Sequence, residues 1–444
     1  MRNRVANTNQ FCVSAYGYEP SLNTAPTDNA DYIRMLVSQE DICKLEYRRE
    51  DNSDEATGYE EASEVFDLGQ LASMNINFKR GKPQHFAFLC SYALGVDTPQ
   101  SEGTQAGFYS HFITNIAGFM DANRSNPTFC LRQQLGGIVK QRFMGCHVKS
   151  LKVALAKDSW ATISATIGAT GKVESNVVRL ILTAAANSTA LTLTDGTTLY
   201  KLAGTGTADK PDSVDVIRFG PSTAVRNTFL TCTNVTTGAG TAADIVLFAN
   251  SQTSTASRYW QVIFIKNDTA LTNTWGNFPS TVSEPPLRTT DFLVTMAGLS
   301  FSGNIAGGKT CQGEVKSFEW NYSNEGMNAE FVPGGQSGYA TRVMRQNRKQ
   351  TITFNRDFMD NLLQQLVTDN EIIAIKAQAS LTTAAGETYR VIFNFPRCQI
   401  MKPDIGVDGK LLSEATEIAV LEGDAVLGSV TVQVDNKVAA YCQA

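Results

Sequence analysis

Apolar positions in this chain recur mostly with a period of two. From Leu71 to Phe78, Met74, Ile76 and Phe78 alternate with Ser73, Asn75 and Asn77, the pattern of a strand with one buried and one wet face. Ile163, Ala165 and Ile167 alternate in the same way with Thr162, Ser164 and Thr166, and Ile373, Ile375 and Ala377 mark a third strand within Glu371 to Ala379. Two segments carry the helical period instead. The first begins near Pro83 and stops at Gly95, with Phe86, Leu89, Cys90, Ala93 and Leu94 on one stripe; proline suits a first turn and glycine a helix stop. The second is expected from about Asp357 to Asp369, with Phe358, Leu362, Leu363 and Leu366 as its apolar face and Asn355 or Asp357 as its N-cap. Both are expected to lie one-sided on a sheet, so the predicted fold class is mainly β.

The two helices sit in the same context. Lys44-Leu45-Glu46-Tyr47-Arg48, an acidic loop and Val65-Phe66 precede the first. Ser317-Phe318-Glu319-Trp320-Asn321, then Ser323-Asn324-Glu325-Gly326 and Phe331-Val332, precede the second. Each stretch reads as a long hairpin. Glu46 and Glu319 are 273 residues apart, and Phe86 and Phe358 are 272 apart. Beyond the helices, Cys146-His147-Val148 and Ala161 match Cys398-Gln399-Ile400 and Ala415 at offsets of 252 and 254. Ordered matches with one step in offset predict an internal duplication. The expected organisation is an N-terminal arm over 1–35, a first copy over 36–171, an inserted β-rich region over 172–287 and a second copy over 288–444. The insertion holds strand candidates at Val178–Leu182, Ala190–Leu193, Val214–Phe219, Ile245–Phe248 and Trp260–Ile265. It fits either a β-sandwich or long extensions of the first copy. Ser283-Glu284-Pro285-Pro286 reads as a stiff linker into the second copy.

Composition narrows the function classes. Hydrophobic residues make up 42% of the 444 positions and charged residues 18%. Such a surface is rich in neutral polar groups, which cost less to desolvate than charges, and so suits burial against further copies. The net charge is -5 and no Lys/Arg run stands out, which argues against tight nucleic-acid binding. The nine cysteines form no Cys-x-x-Cys pair and read as free thiols of a reducing compartment. Met1-Arg2-Asn3-Arg4 leads into polar residues rather than an apolar signal core, and no apolar run approaches a membrane span.

Little in the chain points to chemistry. Gly303-Asn304-Ile305-Ala306-Gly307-Gly308-Lys309-Thr310 fits the phosphate-loop pattern, but that loop works only between a strand and a helix. The residues after it alternate like a strand, so a glycine-rich loop between strands is expected. His85, His111 and His147 lack ligand-spaced partners; each is expected as a strand, helix or surface histidine. Glu50-Asp51, Asp54-Glu55 and Glu60-Glu61 lack calcium-loop spacing and read as a solvated or lumen-facing loop. Trp160, Trp260, Trp275 and Trp320 read as core or interface anchors. The expectation is no enzyme, no cofactor and no metal site.

The run from Glu46 to Gly95, with Gly81-Lys82-Pro83-Gln84-His85-Phe86 opening its helix, and Gly145-Cys146-His147-Val148 followed by Trp160-Ala161-Thr162-Ile163, resemble the tail tube proteins of long-tailed bacteriophages. The likeness covers both copies but not the insertion. It implies two repeated tail-tube β-sandwich or barrel domains, each with one flanking helix. It also implies a structural virion protein that forms stacked rings, a conduit for phage DNA. Most relatives carry one unit and form hexameric rings, so three such chains would make a pseudo-hexameric ring. The implied partners are further copies of the chain, a tape measure protein, a tail terminator, distal tail or baseplate proteins and double-stranded DNA in transit, with no membrane. The implied location is the virion tail, after assembly in the host cytoplasm. The hairpins at about Leu45–Phe66 and Phe318–Val332 would then carry inter-ring stacking through Glu46, Tyr47, Asp51, Asp54, Glu55, Glu60, Glu319, Trp320, Asn324 and Glu325. The competing expectation is a β-rich decoration protein or adhesin that binds host-surface glycans. A nucleotide-dependent enzyme rests on Lys309 and Thr310 alone.

Overall fold

The computed structural model describes residues 10–14, 19, 21–26, 31–55, 61–102, 105–115, 127–184, 188–204, 210–222, 226–249, 258–267, 278–299, 305, 307–336, 338–423 and 428–442. Glu60, Trp275, Gly303, Asn304 and Ala306 lie outside this set. The first part of the chain contributes β1 (Gln10–Ser14), β2 (Tyr32–Met35), β3 (Lys44–Asp51), β4 (Val65–Phe78), α1 (Pro83–Leu94), β5 (Val96–Ser101), β6 (Tyr109–Thr114), β7 (Phe129–Leu135), β8 (Val139–Ala156), β9 (Thr162–Ala169) and β10 (Val173–Ser175). The middle contributes β11 (Val177–Ala184), β12 (Ala190–Thr192), β13 (Val214–Gly220), β14 (Thr228–Leu230), β15 (Cys232–Thr236), β16 (Ile245–Phe248) and β17 (Arg258–Ile265). The last part adds β18 (Phe292–Gly298), β19 (Lys309–Thr310), β20 (Val315–Glu325), β21 (Asn328–Glu330), β22 (Arg342–Met344) and β23 (Asn347–Asp357). It continues with α2 (Leu362–Thr368), β24 (Ile372–Thr382), β25 (Thr388–Asp408), β26 (Leu411–Val420) and β27 (Thr431–Asn436). The protein is mainly β, as its alternating pattern predicts.

Strands of the first and last parts form one 18-stranded sheet system. The same antiparallel pairings occur in both parts. β1–β2, β1–β7, β7–β8, β8–β9, β4–β9 and β3–β4 match β18–β19, β18–β24, β24–β25, β25–β26, β23–β26 and β20–β23. Two irregularities also recur. The ladder slips between Val148 and Ser150 in β8 and between Ile400 and Lys402 in β25. It slips again where Phe129–Leu131 faces Cys146–Phe143, and where Ile373–Ile375 faces Cys398–Phe395. At both latter sites the thiol lies close to the carbonyl three residues back, Cys146 to Phe143 at 3.7 Å and Cys398 to Phe395 at 3.9 Å. Bulges re-aim strands and are specific features of a fold.

The ladders correct the letter matches. Stepping across from the shared bulge pairs Ser73 with Thr351, and hence Lys44 with Asn321 and Glu46 with Ser323. Glu46 and Glu319 are therefore not equivalent. The return strand for Phe318-Glu319-Trp320 is Ile352-Thr353-Phe354 in β23, not Phe331-Val332. Asn328–Glu330 instead pairs with Arg342–Met344 in a small separate ribbon. The expected N-terminal arm holds two strands of the sheet, because β1 pairs with both β2 and β7.

The middle forms a four-stranded sheet, β11-β17-β13-β14, and a three-stranded sheet, β12-β16-β15. Both contribute to one core that includes Leu180, Phe219, Val246, Phe248, Trp260 and Val262. All five expected strands are present; β14 and β15, short and rich in exposed positions, were not expected. Buried Asp244 accepts hydrogen bonds from Lys210 Nζ (2.7 Å) and the backbone N–H groups of Leu202 and Gly238.

Helix α1 is buried on every side rather than one-sided. It ends at Gly95, whose left-handed conformation (φ 116°) favours glycine. Helix α2 is shorter than its apolar period. The Phe358 N–H donates to the Leu412 carbonyl, Asp360 accepts from the Leu362 N–H, and Asn361 is the N-cap. The expected linker at Ser283–Pro286 is docked, not free. The buried Glu284 carboxyl accepts the Gln84 N–H at 2.8 Å in the first turn of α1, and Leu287 exchanges backbone bonds with Gly81 and Ala161.

Burial pushes Glu284 up to about 7 against the pull of the Gln84 and Lys437 N–H groups and of Lys82. Burial likewise pushes Glu19 up to about 7, although Gly145, Thr128 and Asn23 hydrogen-bond it. A raised carboxyl means that the folded state holds protons the unfolded chain has released. Its contribution is therefore lost as pH rises from the ordinary glutamate value through about 7. Each group is expected to remove about 2–3 kcal/mol between pH 5 and pH 8. Urea midpoints for wild type and Glu284→Gln at the two pH values check this: the variant should lose distinctly less stability on raising pH, and equal losses would refute the assignment.

Candidate functional site

The strands β3-β4-β9-β8 of the first half continue without a break into β20-β23-β26-β25 of the second. The joint is the antiparallel pairing of β8 with β20, from Ser317 opposite Ala156 to Ser323 opposite Ser150. A second joint pairs β6 with β27.

Because side chains alternate, each cross-strand row of this ribbon has one character. One row runs Phe78, Ile163, Val153, Trp320, Ile352, Ile418, and all of these are buried. The neighbouring row on the other face runs Asn77, Ser164, Lys152, Asn321, Thr351, and the next Asn75, Thr166, Ser150, Ser323, Lys349. These rows line a groove of about 510 Å³ that crosses from one half to the other. Across the joint, Lys152 Nζ lies 2.7 Å from Glu319. Partial burial pushes the Glu319 carboxyl up, but hydrogen bonds from Lys152 and Asn321 hold it below the usual range. The face is therefore mostly a lattice of short neutral polar side chains, with its central cation Lys152 paired and Lys349 exposed at one end of its row.

The residues expected to stack rings fall into two unlike groups. Glu46 and Tyr47 are exposed on β3, and Asp51 ends that strand, where it accepts the Ser53 hydroxyl at 2.6 Å. Asp54 and Glu55 follow in the exposed turn. In the second half, Trp320 is fully buried, and buried Asn324 donates to the Ala93 and Val148 carbonyls at 3.3 and 3.1 Å. Glu319 belongs to the joint, so Glu325 is the residue of that group left exposed. Asn324 ties the halves together and Trp320 is packed into the core beside the joint, so both are closed to a neighbouring ring.

The remaining candidates have structural partners. Gly307 and Gly308 take positive φ, and Lys309-Thr310 continues as strand β19, not a helix. Lys309 pairs with Asp360; that bond, with Arg356 and the Leu362 N–H, holds the Asp360 carboxyl well below the usual range. His85 stacks on Phe78 at 3.8 Å. His147 is buried in β8, and burial pushes it down to about 4. His111 is fully buried, with Nδ1 2.9 Å from Asp97 and Nε2 donating to the Val438 carbonyl at 2.8 Å. This knot fastens the end of the chain at the β6–β27 joint; nothing local in the sequence signals it, since Asp97 and Val438 meet through the fold. Burial pushes the thiols of Cys43, Cys90, Cys398 and Cys442 up, which suits packing and not nucleophilic attack. Among the described residues no cluster of His, Cys, Asp and Glu has a metal-holding arrangement, and no helix is long and apolar enough to cross a membrane. No protein-family model and no curated protein matches the chain.

Proposed function

We propose that this chain is a structural subunit that assembles with copies of itself into rings, and that the rings stack into a hollow tube of the bacteriophage tail type. The observation that carries the reading is the edge-to-edge joining of two alike four-strand units into one ribbon with a continuous polar face. A ribbon built from alike units by a head-to-tail step supports the ring reading, because a heterologous contact that repeats with a closing rotation generates a ring, and without one an open helical filament. The apolar rows face the body of the chain, so the polar rows would face the bore. Asn, Ser and Thr dominate these rows, and Lys152 and Lys402 on this face are paired with Glu319 and Asp404, so counterion release, the main source of affinity for phosphate, would be small. Tape measure, terminator and baseplate components are the partners such a tube would have.

Negative-stain electron microscopy of the purified chain, before and after concentration, tests this. Rings of three-fold symmetry that stack into hollow tubes are expected. A dispersed monomer under all conditions, with glycan binding in its place, would establish the adhesin or decoration reading instead.

A further inference from the structure

The ribbon has two outer strands. Among the described residues, β3 pairs only with β4, and residues 402–408 of β25 pair only with β26. The repeated ladders make residues 40–46, whose last three open β3, the counterpart of 317–323 in β20, and 402–408 the counterpart of 150–156 in β8. Those counterparts are the strands that pair with each other at the joint. The chain thus contains one completed copy of a contact and carries both halves of a second, unmade one.

Burial marks what is missing. Val153 and Leu155 are 0% and 3% exposed where β20 covers them, whereas their counterparts Ile405 and Val407 are 49% and 72% exposed. A strand edge with exposed branched aliphatics is a template for another strand. The open edge of β3 starts at Lys44, because the Gln133 amide already satisfies the N–H and carbonyl of Cys43.

We infer that the start of β3 of one chain, Lys44–Glu46, pairs antiparallel with residues 402–404 of a second copy, in the register of the β8–β20 joint, placing Lys44 opposite Asp404 and Glu46 opposite Lys402, while residues 405–408 run on past Cys43 and cover its flank. The inference rests on the self-assembly reading above and specifies its seam. At the internal joint, Asn321 faces Lys152 and Ser323 faces Ser150. At the open edges the same positions carry two complementary charge pairs, all four side chains on the polar face. Lys402 and Asp404 pair with each other at 2.8 Å in the isolated chain and are largely exposed, so exchanging that contact for one across the seam costs little desolvation. Opposite charges directly across an antiparallel pair stabilise it and like charges oppose it. Both strands are held face-on by their own sheets, so a slip of one residue would set Lys44 opposite Pro403 or Ile405 and lose both charge pairs. Pro403 has no N–H, so the hydrogen bonds there come from its neighbours.

The test uses the full chain. Glu46→Cys with Lys402→Cys, mildly oxidised after ring formation, is expected to give disulfide-linked chains up to the ring's full complement, while Glu46→Cys with Asp408→Cys gives none. Glu46→Lys alone is expected to reduce ring yield roughly tenfold, with recovery in Glu46→Lys/Lys402→Glu. Rings that form normally but link only through the displaced pair, or ignore the charge reversal, would overturn the seam and leave the ring reading standing. Failure of the unmodified chain to form rings would remove both.

Discussion

Glu414→Ala is expected to lower stability by about 3 kcal/mol, the low end of the cost of breaking a buried ion pair, because Asp360 and Glu314 still reach the guanidinium. Arg356 and Glu414 are both fully buried, with Nε and Nη2 of the guanidinium 3.1 and 2.9 Å from the same carboxylate oxygen. Asp360 and Glu314 also reach Arg356, and Gln364 donates to the other Glu414 oxygen. The repeat supplies the control. In the first half, the positions of Arg356 and Glu414 are held by Phe78 opposite Ile163. Replacing a buried ion pair by packed apolar residues is often neutral or stabilising. Arg356→Phe/Glu414→Ile should therefore recover most of the loss. Chemical denaturation of the three proteins checks both statements; a loss below about 1 kcal/mol in Glu414→Ala would show that Asp360 and Glu314 suffice to hold Arg356 and would overturn the assignment to Glu414.

Much of the fold was legible because local pattern decided it. Met74, Ile76 and Phe78 face the core as their alternation requires, and α1 runs from its proline to its glycine. The repeat was legible too, but not its register in the hairpins. Glu46-Tyr47 and Glu319-Trp320 match by letter, whereas strand pairing aligns Glu46 with Ser323. Letters report side chains; register is fixed by backbone pairing with strands far away in sequence, and by bulges such as Val148/Ser150 that no residue type announces. Phe358 fits the period of α2, yet its N–H serves the Leu412 carbonyl and the helix starts later. The polar face was hidden for the same reason. Each strand's Asn, Ser and Thr positions were visible, but their alignment across β4, β9, β8, β20 and β23 exists only in the folded ladder.

Trp320→Ala is expected to cost about 3–5 kcal/mol, the usual range for emptying a buried tryptophan site. Its ring packs at 5.5 and 5.4 Å from Phe393 and Phe395, Nε1 donates to Gln350 at 3.2 Å, and its strand neighbour across the joint is Val153. The adjacent residue gives the contrast. Glu319 pairs with Lys152 on the part-exposed polar face, and Glu319→Ala should cost no more than about 1 kcal/mol. A stacking hairpin would predict another ordering: both changes would leave the isolated chain nearly as stable and weaken tube growth alike. A buried joint predicts that Trp320→Ala lowers the denaturation midpoint of the isolated chain, and that the loss appears before any ring forms. Measuring the midpoint at concentrations too low for assembly separates the two, because a stability loss seen there belongs to the core of the chain itself and not to a contact between rings.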